Sequence, residues 1–386
     1  MATLTQSPTD PAFVQNPYPF YERARAQGAF FLWADYGMVC TGNAAAVNAI
    51  FRDRRFGREA VNLPDLAAHL APFYAVEAHS MLELEPPRHT RLRGLVLRAF
   101  TSRRIAALGP EIAALAHDLI DALPGGDVDL MPTFAQKLPV IIIARLLGVP
   151  ESMASDLLAW SNAMVGMYQA KRTRGDEDKA IAATEAFTGF LRGYIADRRR
   201  APGDDLITHL IAAEEDGAKL TTDELISTCI LLLNAGHEAT VHTIGNGVKA
   251  LLETGLPLGD PATGVEEILR FDPALHMFTR WCYEPVTIMG QDFQRGDRVA
   301  LLLAAANRDP GVWDAPATFD PARPPKPHVS FGAGLHFCVG APLARLELQV
   351  ALPILFERLP GSRVVQPPQY ANTYHFHGLE SLILSV

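Results

Sequence analysis

Cysteine is scarce in this chain of 386 residues, which contains only four. Their positions, 40, 229, 282 and 338, show no spacing typical of a disulfide framework or a structural zinc site. No stretch reaches the roughly 18 uninterrupted apolar residues that a membrane span needs. Residues 1–20 contain neither an apolar signal core nor a basic leader. We therefore expect reduced thiols, a cytoplasmic location and no membrane contact.

Basic residues are also fewer than acidic ones. The chain has 34 lysines and arginines against 43 aspartates and glutamates, a net charge of −9. This balance argues against nucleic acid as a partner. The rest of the composition, 48% hydrophobic and 20% charged, is that of an ordinary globular protein.

Most of the chain has the periodicity of amphipathic helices, and strands are few and short. Helices are predicted at residues 18–27, 44–51, 89–100, 110–123, 133–147, 152–170 and 179–200. A strand or hairpin is predicted at residues 29–40. Irregular segments are expected at residues 62–82, in the charged stretch 171–178 and in the proline-rich stretch 321–327.

One helix is predicted to be much longer than the others. Thr221 and Glu224 have the spacing of a capping box, and the helical pattern continues to Glu253, with Gly255 as a stop signal. About 32 residues give a helix of roughly 48 Å. A helix of that length crosses a whole molecule, so we expect residues 1–386 to form a single domain around it.

The segment from Phe331 to Gly340, FGAGLHFCVG, places one cysteine among three glycines. A helix-forming run follows at once, and a helix N-terminus lowers the pKa of a thiol. The glycines at 332, 334 and 340 permit positive φ and close approach of the backbone to a bulky ligand. A lone Cys338 thiolate does not fit structural zinc but fits a haem iron, whose equatorial positions the porphyrin fills. The alternative is a buried free cysteine after a glycine-rich loop.

These ten residues match the haem-binding signature F-G-x-G-x-H-x-C-x-G in full, and the chain resembles the cytochrome P450 family of the soluble bacterial type over nearly its whole length. The resemblance implies a mainly α fold with small β-sheets. It also implies haem b between the long central helix and the helix after the cysteine loop. Cys338 is then the axial ligand of the iron, with Phe331 and Gly340 in the loop that holds it.

The resemblance further implies four ligands for the haem propionates. His89 and Arg93 are four residues apart on one helix face, and Arg280 and His336 match the other two positions. A guanidinium suits a carboxylate geometrically. The alternative for the first pair is a solvated basic face, because five more arginines lie nearby, at positions 88, 91, 98, 103 and 104.

Glu267 and Arg270 form an E-x-x-R pair on one helix face. Alone, such a pair is typically a surface salt bridge. By resemblance it is the family's buried ion network, with Arg323 as the third member. These three residues are expected to be structural rather than catalytic.

Residues 235–240 of the central helix, AGHEAT, correspond to the family pattern A-G-x-[D/E]-T-[T/S]. The small Ala235 leaves room over the haem, and Glu238 matches the acid that relays protons during oxygen activation. Ala239 departs from the pattern, because the usual threonine hydroxyl is missing. Thr240 would have to turn inward from about 100° away. There are two other substitutes: a substrate hydroxyl with an ordered water, or peroxide as the oxidant. We rank substrate or water assistance first. His237 is interpreted as a packing residue.

The substrate pocket is expected to be apolar, with sulfur and aromatic lining. By family position it draws on residues 70–82, with His276 and Tyr374 adding polar orientation. The predicted lining residues are Met164, Met167, Leu233, Met277, Phe278, Tyr374 and Phe376. The substrate is therefore predicted to be a mostly apolar small molecule.

Together these features predict a haem-thiolate monooxygenase that uses O2. Only 48 residues follow Cys338, so we expect electrons from a separate ferredoxin or flavodoxin with its reductase, and a monomeric enzyme. The alternatives are a peroxide-driven peroxygenase or atypical oxidative enzyme, and a haem sensor without turnover.

Overall fold

The computed structural model describes residues 1–62, 66–169, 172–215 and 217–386. Fifteen α-helices lie within these ranges. They are α1 (Pro11–Gln15), α2 (Tyr18–Ala26), α3 (Ala44–Arg52), α4 (Ala71–Glu77), α5 (Arg88–Ala99), α6 (Ser102–Ala107), α7 (Gly109–Asp121), α8 (Lys137–Leu147), α9 (Ala154–Val165), α10 (Arg174–Arg200), α11 (Leu206–Ala212), α12 (Thr222–Thr254), α13 (Pro261–Phe271), α14 (Leu303–Ala306) and α15 (Ala341–Arg358). A π-helical turn spans Met131–Ala135, and 3-10 turns span Ala68–Leu70, Glu151–Met153, Gly166–Tyr168 and Gly334–His336.

The strands are short and mostly antiparallel. They are β1 (Ala2–Leu4), β2 (Phe31–Trp33), β3 (Met38–Thr41), β4 (Phe56–Gly57), β5 (Asp127–Asp129), β6 (Glu214–Glu215), β7 (Ala218–Lys219), β8 (Met277–Cys282), β9 (Val286–Ile288), β10 (Gln291–Phe293), β11 (Arg298–Leu302), β12 (Arg363–Val364), β13 (Gln369–Tyr370), β14 (Leu379–Ser381) and β15 (Ile383–Ser385). The largest sheet has the order β1-β2-β3-β11-β8-β4, and only its β1–β2 and β3–β11 pairs are parallel. The mainly α architecture with small sheets is therefore confirmed.

The long central helix is confirmed as α12, with 33 residues. The side chain of Thr221 accepts from the N–H of Glu224, and Glu224 accepts in return from the N–H of Thr221, which completes the capping box. Gly255 ends the helix in the left-handed conformation at φ 65°. The hairpin predicted at residues 29–40 is also present, as the antiparallel pair β2 and β3.

Two predicted irregular segments are helical in part. Residues 71–77 form α4, which buries Phe73; residues 63–65 of the same segment lie outside the described residues. The charged stretch continues into α10, because Thr173 caps its N-terminus and Asp176 returns the capping bond. The prediction of a loop through residue 178 is thus wrong from Arg174 onward; Ala170 and Lys171 lie outside the described residues.

The central helix runs through the core and contacts α8, α13 and α15. The main apolar cluster includes side chains from Phe13 to Leu384, so residues from both ends of the chain pack together. The cysteine loop leads directly into α15, which packs against α7 and α13. Across the described ranges, no helix combines the length and apolar character needed to cross a bilayer.

Candidate active site

The cysteine loop presents Cys338 just ahead of α15. The N–H of Cys338 donates to Phe331 O at 3.0 Å, which closes the loop. Gly334 has φ 71°, and a Cβ atom there would overlap the backbone of Phe51. Positive φ is found at Gly332 (67°) and Gly334 but not at Gly340, which has φ −78° as the N-cap of α15.

The thiol of Cys338 is free and exposed. Desolvation by the surrounding protein raises the pKa of the thiol overall, which corrects the lowering expected at a helix N-terminus; the N–H groups of Gly340 and Ala341 and the charges of Arg93 and Arg345 only oppose that rise. The two N–H groups point at the sulfur, as N–H groups do around a thiolate that binds a metal. Arg345 also lies 4.6 Å from the ring centroid of Phe331 and so packs the loop against α15.

Two predicted propionate ligands lie side by side. The rings of His89 and His336 have centroids 4.4 Å apart. His336 Nε2 donates to Glu85 Oε1 at 2.9 Å, while His89 Nδ1 is buried with no hydrogen-bond partner among the described residues. Burial, with the nearby charges of His336 and Arg93, lowers the pKa of His89 to about 4. Glu85 was not among the predicted site residues, although it lies four positions before His89, just ahead of α5.

Arg280 is almost fully buried on β8 and has little to neutralise it. Its guanidinium donates to Thr279 O at 2.9 Å and lies 4.8 Å from the ring centroid of Phe51. Burial and the charge of Arg58 lower the pKa of Arg280 to about 9. Arg93, the fourth predicted ligand, donates to Phe337 O at 2.7 Å and so contacts the cysteine loop.

These side chains fit haem b. A buried guanidinium and a buried imidazole with an unpartnered nitrogen favour an anionic ligand, because unpaired polar groups in the interior are costly. Carboxylates such as the haem propionates supply that charge in the geometry that a guanidinium prefers. The donor set therefore combines one soft thiol with several basic groups suited to carboxylates.

The predicted ion network is assembled in the structure. Glu267 accepts two bonds of 2.7 Å from Arg270 and one of 3.3 Å from Arg323. Arg270 also donates to backbone carbonyls of residues 307, 316 and 318. Both Glu267 and Arg270 are buried. This network ties α13 to the segment that precedes the cysteine loop.

The middle of α12 presents small and ionisable side chains. Ala235 is exposed although its helix crosses the core, so open space lies beside it. Burial raises the pKa of Glu238, but His237 and His242 outweigh that effect and hold it well below its usual range. Each imidazole Nε2 lies 3.2 Å from one carboxylate oxygen of Glu238. The sequence analysis missed His242 entirely.

Thr240 does not turn toward the gap at Ala239. Its side chain is buried, and the hydroxyl donates to Gly236 O at 3.0 Å within the helix. His237 is fully buried, and its Nδ1 donates to Leu233 O at 3.1 Å. The described residues around Ala239 thus offer no direct replacement for the missing hydroxyl.

The predicted pocket residues occupy different surroundings. The structure buries Met164, Met167, Leu233 and Met277. Phe376 pairs with Leu275 by an isolated β-bridge, and Phe278 lies near the cysteine loop, 6.4 Å from Phe51 between ring centroids.

Tyr374 lies elsewhere, in the aromatic core beside Phe13 and Trp33. Its hydroxyl bonds Tyr21, which in turn bonds His276 at 2.8 Å. The expectation that Tyr374 and His276 orient a substrate is therefore corrected, because their polar atoms face this buried network.

That network contains a cluster of potential metal ligands: Asp272, His276 and His377. Tyr18 and Tyr370 each donate to one oxygen of Asp272 at 2.6 Å. Burial lowers the pKa of both histidines. Because both carboxylate oxygens already accept hydrogen bonds, we interpret the cluster as a structural hydrogen-bond network.

Comparison with known proteins agrees with this geometry. A family model described as Cytochrome P450 matches residues 263–369. The cytochrome P450 monooxygenase PikC of Streptomyces venezuelae is 38% identical over 369 residues, covering 90% of this chain and 85% of its own. The biotin biosynthesis cytochrome P450 of Bacillus subtilis (strain 168) is 36% identical and covers 98% of both chains. The solved structure of P450BioI in complex with hexadec-9Z-enoic acid ligated acyl carrier protein has a TM-score of 0.92, at 33% identity over 97% of this chain and 98% of that chain.

The chain belongs to the cytochrome P450 family. It is an enzyme, a haem-thiolate monooxygenase that oxidises small organic molecules, and its cofactor is haem b. The predictions of family, fold, cofactor and enzyme class are confirmed.

Proposed function

We propose that Cys338 is the axial ligand of the haem iron in this enzyme and that basic side chains around the loop bind the propionates. Those side chains are His89, Arg93, Arg280 and His336. Two observations carry the proposal: the exposed thiol of Cys338 with N–H groups directed at it, and the buried guanidinium of Arg280, whose one hydrogen bond among the described residues goes to a backbone carbonyl. Haem b, when bound, supplies dioxygen activation and oxygen insertion into a C–H bond.

The residues of the chain orient substrate, exclude water and supply protons. Ala235 keeps the central face of α12 open, and Glu238 delivers protons from that helix. Glu267, Arg270 and Arg323 act structurally, because their network holds the segment before the cysteine loop. Gly340 and Phe331 complete the loop that holds the sulfur.

The substrate is proposed to be a mostly apolar small molecule. The apolar side chains proposed to line the pocket are the buried Met164, Met167, Leu233 and Met277, together with Phe278 and Phe376. The name of one relative, Vitamin D(3) 25-hydroxylase, 40% identical over 90% of this chain, supports hydroxylation of an apolar molecule.

Carbon monoxide tests the axial ligand. The reduced protein with carbon monoxide should show a strongly red-shifted Soret band, and Cys338→Ser should lose it while Cys282→Ser keeps it. An unshifted band in the unaltered protein would contradict thiolate ligation. Turnover with NAD(P)H and ferredoxin components, compared with turnover on peroxide alone, separates the monooxygenase from the peroxygenase.

Electrons are proposed to come from a ferredoxin or flavodoxin with its reductase. The exposed Arg103 lies on α6, which follows α5 along the chain, and α5 contacts the cysteine loop through Arg93. The basic face is smaller than the sequence suggests, because Arg91 pairs with Glu224 and Arg104 with Asp204. If docking is electrostatic, the rate of reduction should fall as the ionic strength rises. The substitution Arg103→Glu should lower that rate further.

We also propose a single-domain monomer in the cytoplasm. The continuous apolar cluster from Phe13 to Leu384 supports one domain. All four cysteines are free, as in a reducing compartment. Sedimentation of the holoenzyme measures the oligomeric state, and limited proteolysis that released a stable fragment would contradict the single domain.

A further inference from the structure

His242 lies on the same face of α12 as the gap at Ala239. Ala235, Ala239 and His242 occupy positions i, i+4 and i+7, which share one face of a helix. Side chains on a helix lean toward its N-terminus, so a residue covers the turn that precedes it. The imidazole of His242 therefore leans back over the turn that contains Ala239.

The observed contacts agree with that direction. His242 Nε2 donates to Glu238 Oε1 at 3.2 Å, four residues back along the helix. Its Nδ1 is buried and has no hydrogen-bond partner among the described residues. Phe376 lies beside the ring, at 6.2 Å between centroids. The bond to Glu238 is thus the one polar contact of this imidazole within the described part of the chain.

The backbone at Gly378 lies against the imidazole of His242 and leaves space for this ring. A Cβ atom at Gly378 would overlap the imidazole of His242. The titratable groups that act on this region are Glu238 and His237 on α12 and His377 on the segment opposite. The side chains of His242 and Glu238 keep 14% and 18% exposure, so water can reach the pair.

We propose that His242 serves as the proton-relay partner of Glu238 and compensates for the hydroxyl that Ala239 lacks. In its imidazolium form, with both ring nitrogens protonated, His242 passes the Nε2 proton across the hydrogen bond to the Glu238 carboxylate, which relays it toward the active site; the imidazole is left neutral with its proton on Nδ1. Water then returns a proton to the imidazole, so the pair ends as it began. This inference rests on the proposed role of Glu238, and it makes His242 a relay residue that acts through that carboxylate.

His237 provides a matched control. Its Nε2 also lies 3.2 Å from Glu238, but its Nδ1 is fixed by the carbonyl of Leu233. It is two residues before Ala239, which is about 200° around the helix at 100° per residue. It therefore contacts the same carboxylate without facing the gap.

The activity test needs no organic substrate. Holoenzyme is reduced by photoreduced deazaflavin in the presence of dioxygen, and peroxide formed is compared with dioxygen consumed. Dioxygen takes two electrons and two protons to give peroxide, or four of each to give two waters, so the ratio reports proton delivery. His242→Gln should lower the ratio of water to peroxide by about a hundredfold, the low end for a lost general acid.

Restoring the hydroxyl should make His242 dispensable. The double variant Ala239→Thr with His242→Gln should return to the water-to-peroxide ratio of Ala239→Thr alone. His237→Gln should change the ratio less, and Ala239→Thr should not correct that change. An unchanged ratio in His242→Gln, or a loss that Ala239→Thr fails to correct, would overturn the relay.

A second readout does not depend on turnover or on a variant that folds. Nitrogen-15 NMR of the reduced carbon-monoxide form of the unaltered enzyme should show a proton on His242 Nε2. An Nε2 nitrogen without a proton would overturn the inference. The red-shifted Soret band and its loss in Cys338→Ser test the haem site separately, so failure of the relay and failure of the proposed function can be distinguished.

Discussion

Gly378 and His242 fit together so closely that a single methyl group at position 378 would overlap the imidazole ring. His242 in turn holds Glu238 at 3.2 Å. A backbone position on the C-terminal segment therefore determines where the acid of the central helix can point. Neither residue belongs to the pattern by which the family was identified.

Gly378→Ala should displace the imidazole. We expect a loss of about 1–3 kcal/mol in the free energy of unfolding, the usual cost of overpacking, and more peroxide per dioxygen consumed. Urea unfolding and the peroxide assay measure the two effects. Gly193→Ala is the control, because that exposed helical position has open space around it and alanine favours helix there. If the two variants changed the free energy of unfolding and the peroxide yield equally, the packing argument would be contradicted.

Arg280→Gln should weaken retention of haem. The variant removes the buried guanidinium that we expect to bind a propionate, so haem transfer to apomyoglobin should accelerate by about tenfold, as for one lost charged hydrogen bond. Arg298→Gln, on the neighbouring strand, should leave the rate unchanged because Arg298 is exposed and stacks on Trp281 at 5.0 Å. If both variants release haem equally fast, Arg280 has no special role.

Local signals explain what could be predicted from the sequence. The Thr221 capping box, the Gly255 stop and the cysteine loop are each encoded within about ten neighbouring residues. The start of α10 had a comparable signal, Thr173 followed by Asp176. The charges that surround this pair favour a loop, and they mask the capping signal.

The remaining features depend on contacts between distant parts of the chain. Glu85 and His336 form a hydrogen bond although they are 251 positions apart in the sequence, and no local sequence pattern predicts that pair. The position of Tyr374 was wrong for the same reason, because its surroundings are set by Phe13 and Trp33 near the other end of the chain. The Glu238–His242 contact was readable as an i, i+4 pair, but its meaning depends on Gly378.

Glu267→Gln should destabilise the whole enzyme. The substitution leaves Arg270 with its cation buried and poorly compensated, and breaking a buried pair on one side costs about 3–5 kcal/mol. Urea unfolding measures the loss. Glu253→Gln is the control, because its pair with Lys249 at 2.8 Å lies at the surface, with the Glu253 side chain 46% exposed, and should contribute less than about 0.5 kcal/mol. Similar losses in the two variants would contradict a buried network.

Glu347 predicts a dependence of stability on pH. It is buried on α15 with no hydrogen-bond partner among the described residues, and burial raises its pKa from 4.5 to about 8. A raised pKa in the folded state means that the folded protein binds the proton more tightly. The stability from this group is therefore fully present below pH 4.5 and is lost as the pH rises toward 8.

Glu347→Gln should remove that dependence. Between pH 4.5 and about 8, Glu347 alone changes the free energy of unfolding by about 1.4 kcal/mol per pH unit. The unaltered enzyme should therefore lose that much stability, relative to the variant, with each unit that the pH rises. Urea unfolding of both proteins at pH 5.5 and pH 7.5 measures the difference directly, and comparing them at each pH cancels the titration of other groups. Because glutamine keeps the shape and carries no charge, the variant should be the more stable protein at pH 7.5. Parallel pH profiles for the two proteins would show that Glu347 is already ionised in the fold, with a partner that neutralises it.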